Sequence, residues 1–135
     1  MKKQELAKKV RDLNVYQVSF TATMEIFNLS KKFPKEEKYS MTDQIRRASR
    51  SVCSNLSEGW HKRRYIAAFM HKLTDAVQEA SEIQTWLEFS RACGNLTQSE
   101  FDLNYERYEH IIAQLLTMER KAESFCMPTA FPQQP

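Results

Sequence analysis

Apolar residues recur every three or four positions along four long stretches of the chain, as one face of an α-helix requires. Glycine and proline are rare, with two Gly and four Pro in 135 residues, and they fall between these stretches or near the C-terminus. Alternating β-branched runs and Asn-Gly or Asp-Gly hairpin turns do not occur in the sequence. The pattern predicts helices at about residues 12–32, 40–58, 63–92 and 98–125.

The short connections between these stretches favour an all-α fold, an up-down-up-down four-helix bundle. We expect a single bundle domain over residues 1–126, a length that can bury a core without disulfides or metals. We expect the proline-rich segment 127–135 to be disordered.

Local signals predict where the helices begin and end. Ser40 with Asp43, and Thr97 with Glu100, resemble capping boxes at the starts of the second and fourth helices. Glycines end helices when they adopt a left-handed conformation just past the last turn. We expect this at the ends of the second and third helices, and the two residues concerned are Gly59 and Gly94.

The first helix carries more apolar residues than one neighbouring pair of helices requires. One line comprises Leu13, Tyr16, Phe20, Met24 and Phe27, and an adjoining line comprises Val15, Val18, Ala22, Ile26 and Leu29. Two interpretations stay open. Either this helix is central and buried, or its extra face docks against another subunit.

The other three helices each show one apolar face. In the second it is Met41, Ile45, Ala48, Val52 and Leu56; in the third it is Phe69, Leu73, Ala76 or Val77, Ala80, Ile83 and Leu87. In the fourth it is Phe101, Tyr105, Tyr108, Ile112, Leu115 and Met118. The spacing within the fourth helix is close to a heptad seam.

Charge is concentrated in residues 44–64, which hold six Lys or Arg residues and one acid and so carry +5, against +3 for the whole chain. A local basic patch on a small protein favours a polyanionic partner. The candidate nucleic-acid contacts are Arg46, Arg47, Arg50, Lys62, Arg63 and Arg64. Arginine suits phosphate because its planar fork forms paired hydrogen bonds.

On a helical wheel the first three arginines fall in one sector, opposite Ile45, Val52 and Leu56, so we expect them to point away from the core. Together with the basic turn that follows, they would form one surface. Trp60 and Tyr65 flank the turn and could stack on unpaired bases.

Two other uses of these arginines stay open. They can pair with acids of the third helix or of a partner subunit, and the third helix offers Glu79, Glu82 and Glu88. Alternatively, they form a face that is simply solvated.

Asn55, Glu58 and Gly59 form a candidate structural motif. Asn is a poor helix former, and a carboxylate in the last turn opposes the helix dipole, so a tertiary role is indicated. We expect Glu58 to pair with an arginine or to accept backbone N–H groups at the start of the third helix, an architectural role rather than a catalytic one.

The sequence lacks the signals of an enzyme, a metalloprotein or a membrane protein. The three His are dispersed, no CxxC occurs, and there is no GxSxG or glycine-rich phosphate loop. We therefore expect no cofactor and no catalytic residue. The charged N-terminus does not resemble a secretory signal, no apolar run is long enough to span a membrane, and three widely spaced cysteines suit free thiols in a reducing cytoplasm.

Several elements resemble the bacterial 23S rRNA intervening-sequence protein family. The most specific are Gln44–Ala48, read as Gln-Ile-Arg-Arg-Ala, and Asn55–Gly59, read as Asn-x-x-Glu-Gly; Phe33–Pro34 and Cys93–Gly94 also fit. The resemblance runs from about residue 12 to residue 120. Ser57 stands where Ala is more usual, and Ala76–Val77 replaces a common Gly-Ser pair.

The resemblance implies a non-enzymatic four-helix bundle that assembles into a homopentamer. It also implies a distant relation to the accessory variability determinant of diversity-generating retroelements, which binds nucleic acid and a reverse transcriptase. That relative is more strongly basic than this chain. A protein-protein interaction scaffold, whose arginines hold the oligomer or a protein partner, is the alternative function.

Overall fold

The fold is described from a computed structural model that defines residues 7–126, so the predicted disordered tail at 127–135 lies outside the described residues. Five α-helices follow one another: α1 Asn14–Ser30, α2 Asp43–Trp60, α3 Ile66–Ala92, α4 Gln98–Arg120 and the short α5 Ala122–Phe125. No strand occurs within 7–126. Consecutive long helices pack together and α4 packs back against α1, which confirms the predicted all-α four-helix bundle.

The core faces of α2 and α3 are those that the sequence predicts. Val52, Phe69, Leu73 and Leu87 are all at most 1% exposed. In α4 the buried line is shifted by part of a turn, to Asn104, Tyr108, Ile111, Leu115 and Met118. The predicted residues Phe101, Tyr105 and Ile112 lie half-buried at the edge of the core and pack against it.

Only one of the two apolar lines of α1 belongs to the core. Val15, Ala22 and Ile26 are buried, whereas Phe20 and Met24 of the other line are 53% and 46% exposed. The interpretation of α1 as a helix buried on both faces is therefore wrong. The second line forms an apolar strip on the surface.

The sequence predicts capping or terminating residues at four helix ends, and the structure has two of them as predicted. Thr97 and Glu100 form the predicted reciprocal capping box, with the Glu100 amide donating to Thr97 Oγ1 at 3.1 Å and the Thr97 amide to Glu100 Oε1 at 2.9 Å. Gly94 has φ of +81° and ends α3. The Asn95 amide donates to the Ser90 carbonyl at 2.8 Å, which completes a Schellman motif.

The other two predicted ends are wrong. Ser40 caps nothing; it lies in a π-helical turn, Lys38–Thr42, that leads directly into α2, and its hydroxyl donates to Glu37 Oε1 at 2.6 Å. Gly59 lies inside α2 and does not have a positive φ. A glycine stands inside the helix here because α3 packs too closely to leave room for a side chain, as described below.

Candidate nucleic-acid interface

Arg47 and Arg50 lie on the face of α2 that turns away from the core. A helix advances by about 100° per residue, so these side chains project on the side opposite the buried Ile45 and Val52. Both arginines are exposed. Arg50 forms no hydrogen bond or ion pair with any other residue between 7 and 126, so its guanidinium is available to a ligand.

Arg46 is turned sideways instead of outward. Its Nε donates to Ser30 Oγ at 2.6 Å, and its guanidinium carbon lies 4.7 Å from the centre of the Phe27 ring. Both contacts are on the last turns of α1. Arg46 therefore fastens α1 to α2, and it does not share the outward surface that the helical wheel predicts for it with Arg47 and Arg50.

Arg63 is also part of the internal structure. Its Nε donates to the Trp60 carbonyl at 2.8 Å, Nη1 donates to the Phe125 carbonyl at 3.3 Å, and the guanidinium stacks 3.4 Å from the Trp60 ring centre. Partial burial lowers the pKa of Arg63 from its usual value. Its position links the end of α2 to α5.

The stacking of Arg63 on Trp60 prevents Trp60 from stacking on a base, contrary to the expectation from the sequence. Trp60 is only 3% exposed, beneath the Arg63 guanidinium, and it does not present a ring to solvent. Tyr65, at 58% exposure, does present its ring. Lys62 and Arg64 are exposed in the same turn between α2 and α3.

The basic residues form two groups rather than one surface. Trp60 lies ten positions after Arg50, which places the turn about 15 Å further along the α2 axis. One group is Arg47 and Arg50 on the helix, and the other is Lys62 and Arg64 in the turn. Ser54 and Glu58 lie exposed between them.

One acid of α3 approaches the arginine face. Burial and the neighbouring Glu82 raise the pKa of Glu79, while Arg47 opposes that rise. Arg47 is thus close enough to affect this carboxyl, but the two side chains form no ion pair within the described part of the chain. An α3 carboxylate would therefore compete with phosphate for Arg47 more than for Arg50.

The candidate structural motif joins α2 to α3. Glu58 Oε1 accepts a hydrogen bond from Lys72 Nζ at 2.7 Å, so Glu58 pairs with a lysine rather than with an arginine or a backbone amide. That bond lowers the pKa of Glu58 and raises the pKa of Lys72. A Cβ on Gly59 would lie 2.9 Å from Lys72 Cβ. Asn55 Nδ2 bonds within its own helix, to the Ser51 carbonyl at 2.9 Å.

The apolar strip of α1 lies beside the arginine face of α2. It comprises Tyr16, Phe20, Met24 and Phe27; the first two rings lie 6.4 Å apart, and the last carries the Arg46 guanidinium. Sequence reasoning treated this strip and the arginines as separate features. The strip of α1 and the arginines of α2 lie side by side because of how the two helices are aligned. The Thr23 hydroxyl of α1 donates to the Ser49 carbonyl of α2 and holds this alignment.

Within residues 7–126, no group of three His, Cys, Asp or Glu side chains is placed to hold a metal ion. None of the helices described there is long and apolar enough to cross a membrane. The three cysteines are free thiols, and burial raises the pKa of Cys53. A raised pKa leaves Cys53 poorly nucleophilic.

Comparison with known proteins gives a consistent picture. A family model described as 23S rRNA-intervening sequence protein matches residues 11–117. The chain is similar to a protein of unknown function from the S23 ribosomal protein family of Bacteroides thetaiotaomicron, known from a crystal structure. The two are 26% identical with a TM-score of 0.71, over 78% of this chain and 95% of that one. No curated protein matches the chain.

Proposed function

The chain belongs to the 23S rRNA-intervening sequence protein family, and we propose that it is a non-enzymatic, oligomeric bundle that contacts the RNA or DNA backbone. The contact surface is the outer face of α2 together with the turn that follows it. The bundle forms one domain over residues 1–126 and acts in the cytoplasm. The description of the matching family, 23S rRNA-intervening sequence protein, names no enzymatic activity.

The observation that carries this proposal is the unused Arg50. An exposed guanidinium with no partner among residues 7–126 keeps all its donors for an incoming anion. Arg47 lies one turn away on the same face, and Lys62, Arg64 and Tyr65 follow in the turn. This combination of spaced cations and one exposed ring suits a phosphate backbone with an unpaired base.

The structure narrows the set of contacts expected from sequence. Arg46 and Arg63 are engaged by Phe27, Ser30 and Trp60, so they support the surface rather than bind phosphate directly. On this ground we propose Arg47, Arg50 and Lys62 as contacts, and we include Arg64 for its exposed position in the same turn as Lys62. Binding through such residues is largely independent of sequence, because phosphates carry no sequence information.

The oligomer that we propose is built on the apolar strip of α1. Large side chains exposed in a contiguous row mark interaction sites more often than isolated ones do. Phe20 and Met24 are about half exposed at the centre of the strip. A homopentamer is the assembly that the family resemblance implies.

The same strip favours the second candidate function, a protein-protein interaction scaffold. Because the Arg46 guanidinium lies over Phe27 of the strip, a subunit or protein partner seated on Phe20 and Met24 would cover this arginine at its edge. In that case the positive charge orients a protein contact rather than binding nucleic acid.

Titration of a structured 23S rRNA fragment at several salt concentrations tests the proposal. Neutralising several phosphates releases counterions, so log K should fall linearly with log salt, by about 0.7–0.9 per phosphate contacted. Binding that does not respond to salt, or no binding at about 50 mM salt, would contradict nucleic-acid contact. The scaffold function would then remain.

A further inference from the structure

A groove that contains an arginine without a hydrogen-bond partner lies on the other side of α1, between α1 and α4. It encloses about 430 Å³ and is lined by Asn14, Gln17, Val18, Thr21, Arg107, His110, Ile111 and Gln114. That volume is within the range of small-molecule sites, about 300–1,000 Å³. The groove is distinct from the arginine face of α2 and from the apolar strip of α1.

Arg107 is the unusual group in this groove. Its nearest acid is Glu25 on α1, with Nη1 and Oε1 3.8 Å apart, which is too long for a hydrogen bond. Nη1 itself is buried and has no hydrogen-bond partner, and the side chain as a whole is 34% exposed. No residue among 7–126 accepts a hydrogen bond from this guanidinium.

An unsatisfied guanidinium that is partly removed from water favours an anionic partner more strongly than a fully exposed one does. A buried donor without an acceptor costs about 1–3 kcal/mol, more when it is charged. The nearest carboxylate does not relieve this cost, because Glu25 is itself 46% exposed and stays at ion-pair distance. A ligand carboxylate can form a charge-assisted hydrogen bond with the part of the Arg107 side chain that remains exposed.

The rest of the groove determines the size and character of the ligand. Val18 and Ile111 supply apolar surface beside Arg107. At one end, Asn14 Nδ2 donates to Gln114 Oε1 at 3.2 Å and links the two helices. Thr21 and His110 add polar atoms along the rim. An apolar wall, a few polar groups and one cation are typical of sites for small polar ligands.

We propose that the groove between α1 and α4 binds a small organic acid, with its carboxylate on Arg107 and its apolar body along Val18 and Ile111. Glu25 weakens this binding because it places a second carboxylate near the same guanidinium. The site is independent of the α2 surface, so its failure would leave the proposed nucleic-acid function untouched.

Benzoate and its neutral isostere benzamide are suitable probes for the full chain. We expect benzoate to shift the methyl resonances of Val18 and Ile111 and the Nε–H resonance of Arg107 in NMR titrations, with benzamide binding at least tenfold more weakly. Arg107→Gln should weaken benzoate binding at least tenfold. Glu25→Gln should strengthen it several-fold.

Arg120→Gln is the matched control, because it removes an exposed arginine from the same helix and should leave benzoate binding unchanged. The melting temperature of each variant verifies that it is folded. If Arg107→Gln fails to fold, Glu25→Gln and the comparison of benzoate with benzamide still test whether the groove binds a carboxylate. Equal binding of the two probes, undiminished binding to folded Arg107→Gln, or shifts spread over all exposed arginines would overturn the proposal.

Discussion

The Cβ atom of Lys72 lies 2.9 Å from the position that a Cβ on Gly59 would occupy. Carbon atoms do not approach this closely, so α2 and α3 pack here with no room for a side chain on Gly59. The adjacent Glu58 pairs with the end of the same lysine at 2.7 Å. One lysine of α3 thus contacts two successive residues of α2, and the Asn-x-x-Glu-Gly element joins these helices.

Gly59→Ala should destabilise the protein although it lies in a helix. Alanine gains about 1 kcal/mol of helix propensity over glycine, but overpacking costs about 1–3 kcal/mol. We expect the free energy of unfolding, measured by urea denaturation, to fall by about 1 kcal/mol. The contact is with Cβ, near the backbone, so a simple rotation of the lysine side chain does not relieve it.

A double-mutant cycle with Lys72 separates this contact from other effects. Lys72→Gly removes the offending Cβ, whereas Lys72→Ala keeps it, and both changes remove the pair with Glu58. Each change is made in the parent and in Gly59→Ala, because a glycine within α3 by itself costs about 1 kcal/mol relative to alanine. The cost of Gly59→Ala should be smaller in the Lys72→Gly background than in the Lys72→Ala background. An equal cost in the two backgrounds would show that the close approach does not cause the destabilisation.

The pair of Glu58 and Lys72 predicts how stability depends on pH. The lysine lowers the pKa of Glu58 from 4.5, so the contribution of Glu58 is present above pH 4.5 and is lost as the pH falls through the lowered pKa. The pKa of Lys72 is raised from 10.5, so its contribution is complete below pH 10.5 and is lost as the pH rises through the raised pKa.

Thermal melting of Glu58→Gln against pH measures this linkage. The variant should be less stable than the parent at neutral pH, and the difference should shrink below pH 4.5 as Glu58 of the parent becomes protonated. A carboxyl ¹³C titration of Glu58 should give a pKa below 4.5 in the parent and a higher one in Lys72→Ala. A constant stability difference across this pH range would contradict the linkage.

Arg63 should matter for stability where Arg50 does not. Arg63→Gln removes two charge-assisted hydrogen bonds and the stacking on Trp60, which should lower the free energy of unfolding by about 1–3 kcal/mol. Arg50→Gln removes no internal contact and should change it by less than about 0.5 kcal/mol. Equal stability of the two variants would show that Arg63 is not part of the internal structure.

The apolar strip of α1 should control assembly. Replacing Phe20 and Met24 by Ser removes two half-exposed apolar side chains and should shift the protein from oligomer to monomer, as measured by light scattering. Phe89→Ser is the matched control, because Phe89 is 54% exposed on α3, away from the strip. A parent protein that is already monomeric, or dissociation by Phe89→Ser alone, would contradict this role.

The sequence predicted the helices well because periodicity reports burial directly. Phe69, Leu73 and Leu87 of α3 are buried as their spacing required, and Gly94 ends that helix as its position suggested. Periodicity could not predict which residue of another helix packs against a given position. Gly59 reads as a helix end by itself, and only the approach of Lys72 explains why a glycine stands inside the helix.

The basic residues show the same limit at the candidate site. A helical wheel separates inward from outward residues, but it cannot tell a solvated side chain from one that lies across a neighbouring helix. Arg46 was therefore grouped with Arg47 and Arg50, although Phe27 and Ser30 of α1 hold it. Arg63 stands outside the regular helix, where the wheel does not apply, and its stack on Trp60 left no sequence signal.

The salt dependence of RNA affinity in the double variant Arg47→Gln/Arg50→Gln tests nucleic-acid contact through α2 most directly. Its matched control is Arg91→Gln/Arg120→Gln, which removes two exposed charges from α3 and α4. We expect the α2 variant to bind more weakly, with a log K against log salt slope shallower by about 1.4–1.8, while the control keeps the parent slope. Equal loss in both variants, or no change in the α2 variant, would contradict nucleic-acid contact through this face.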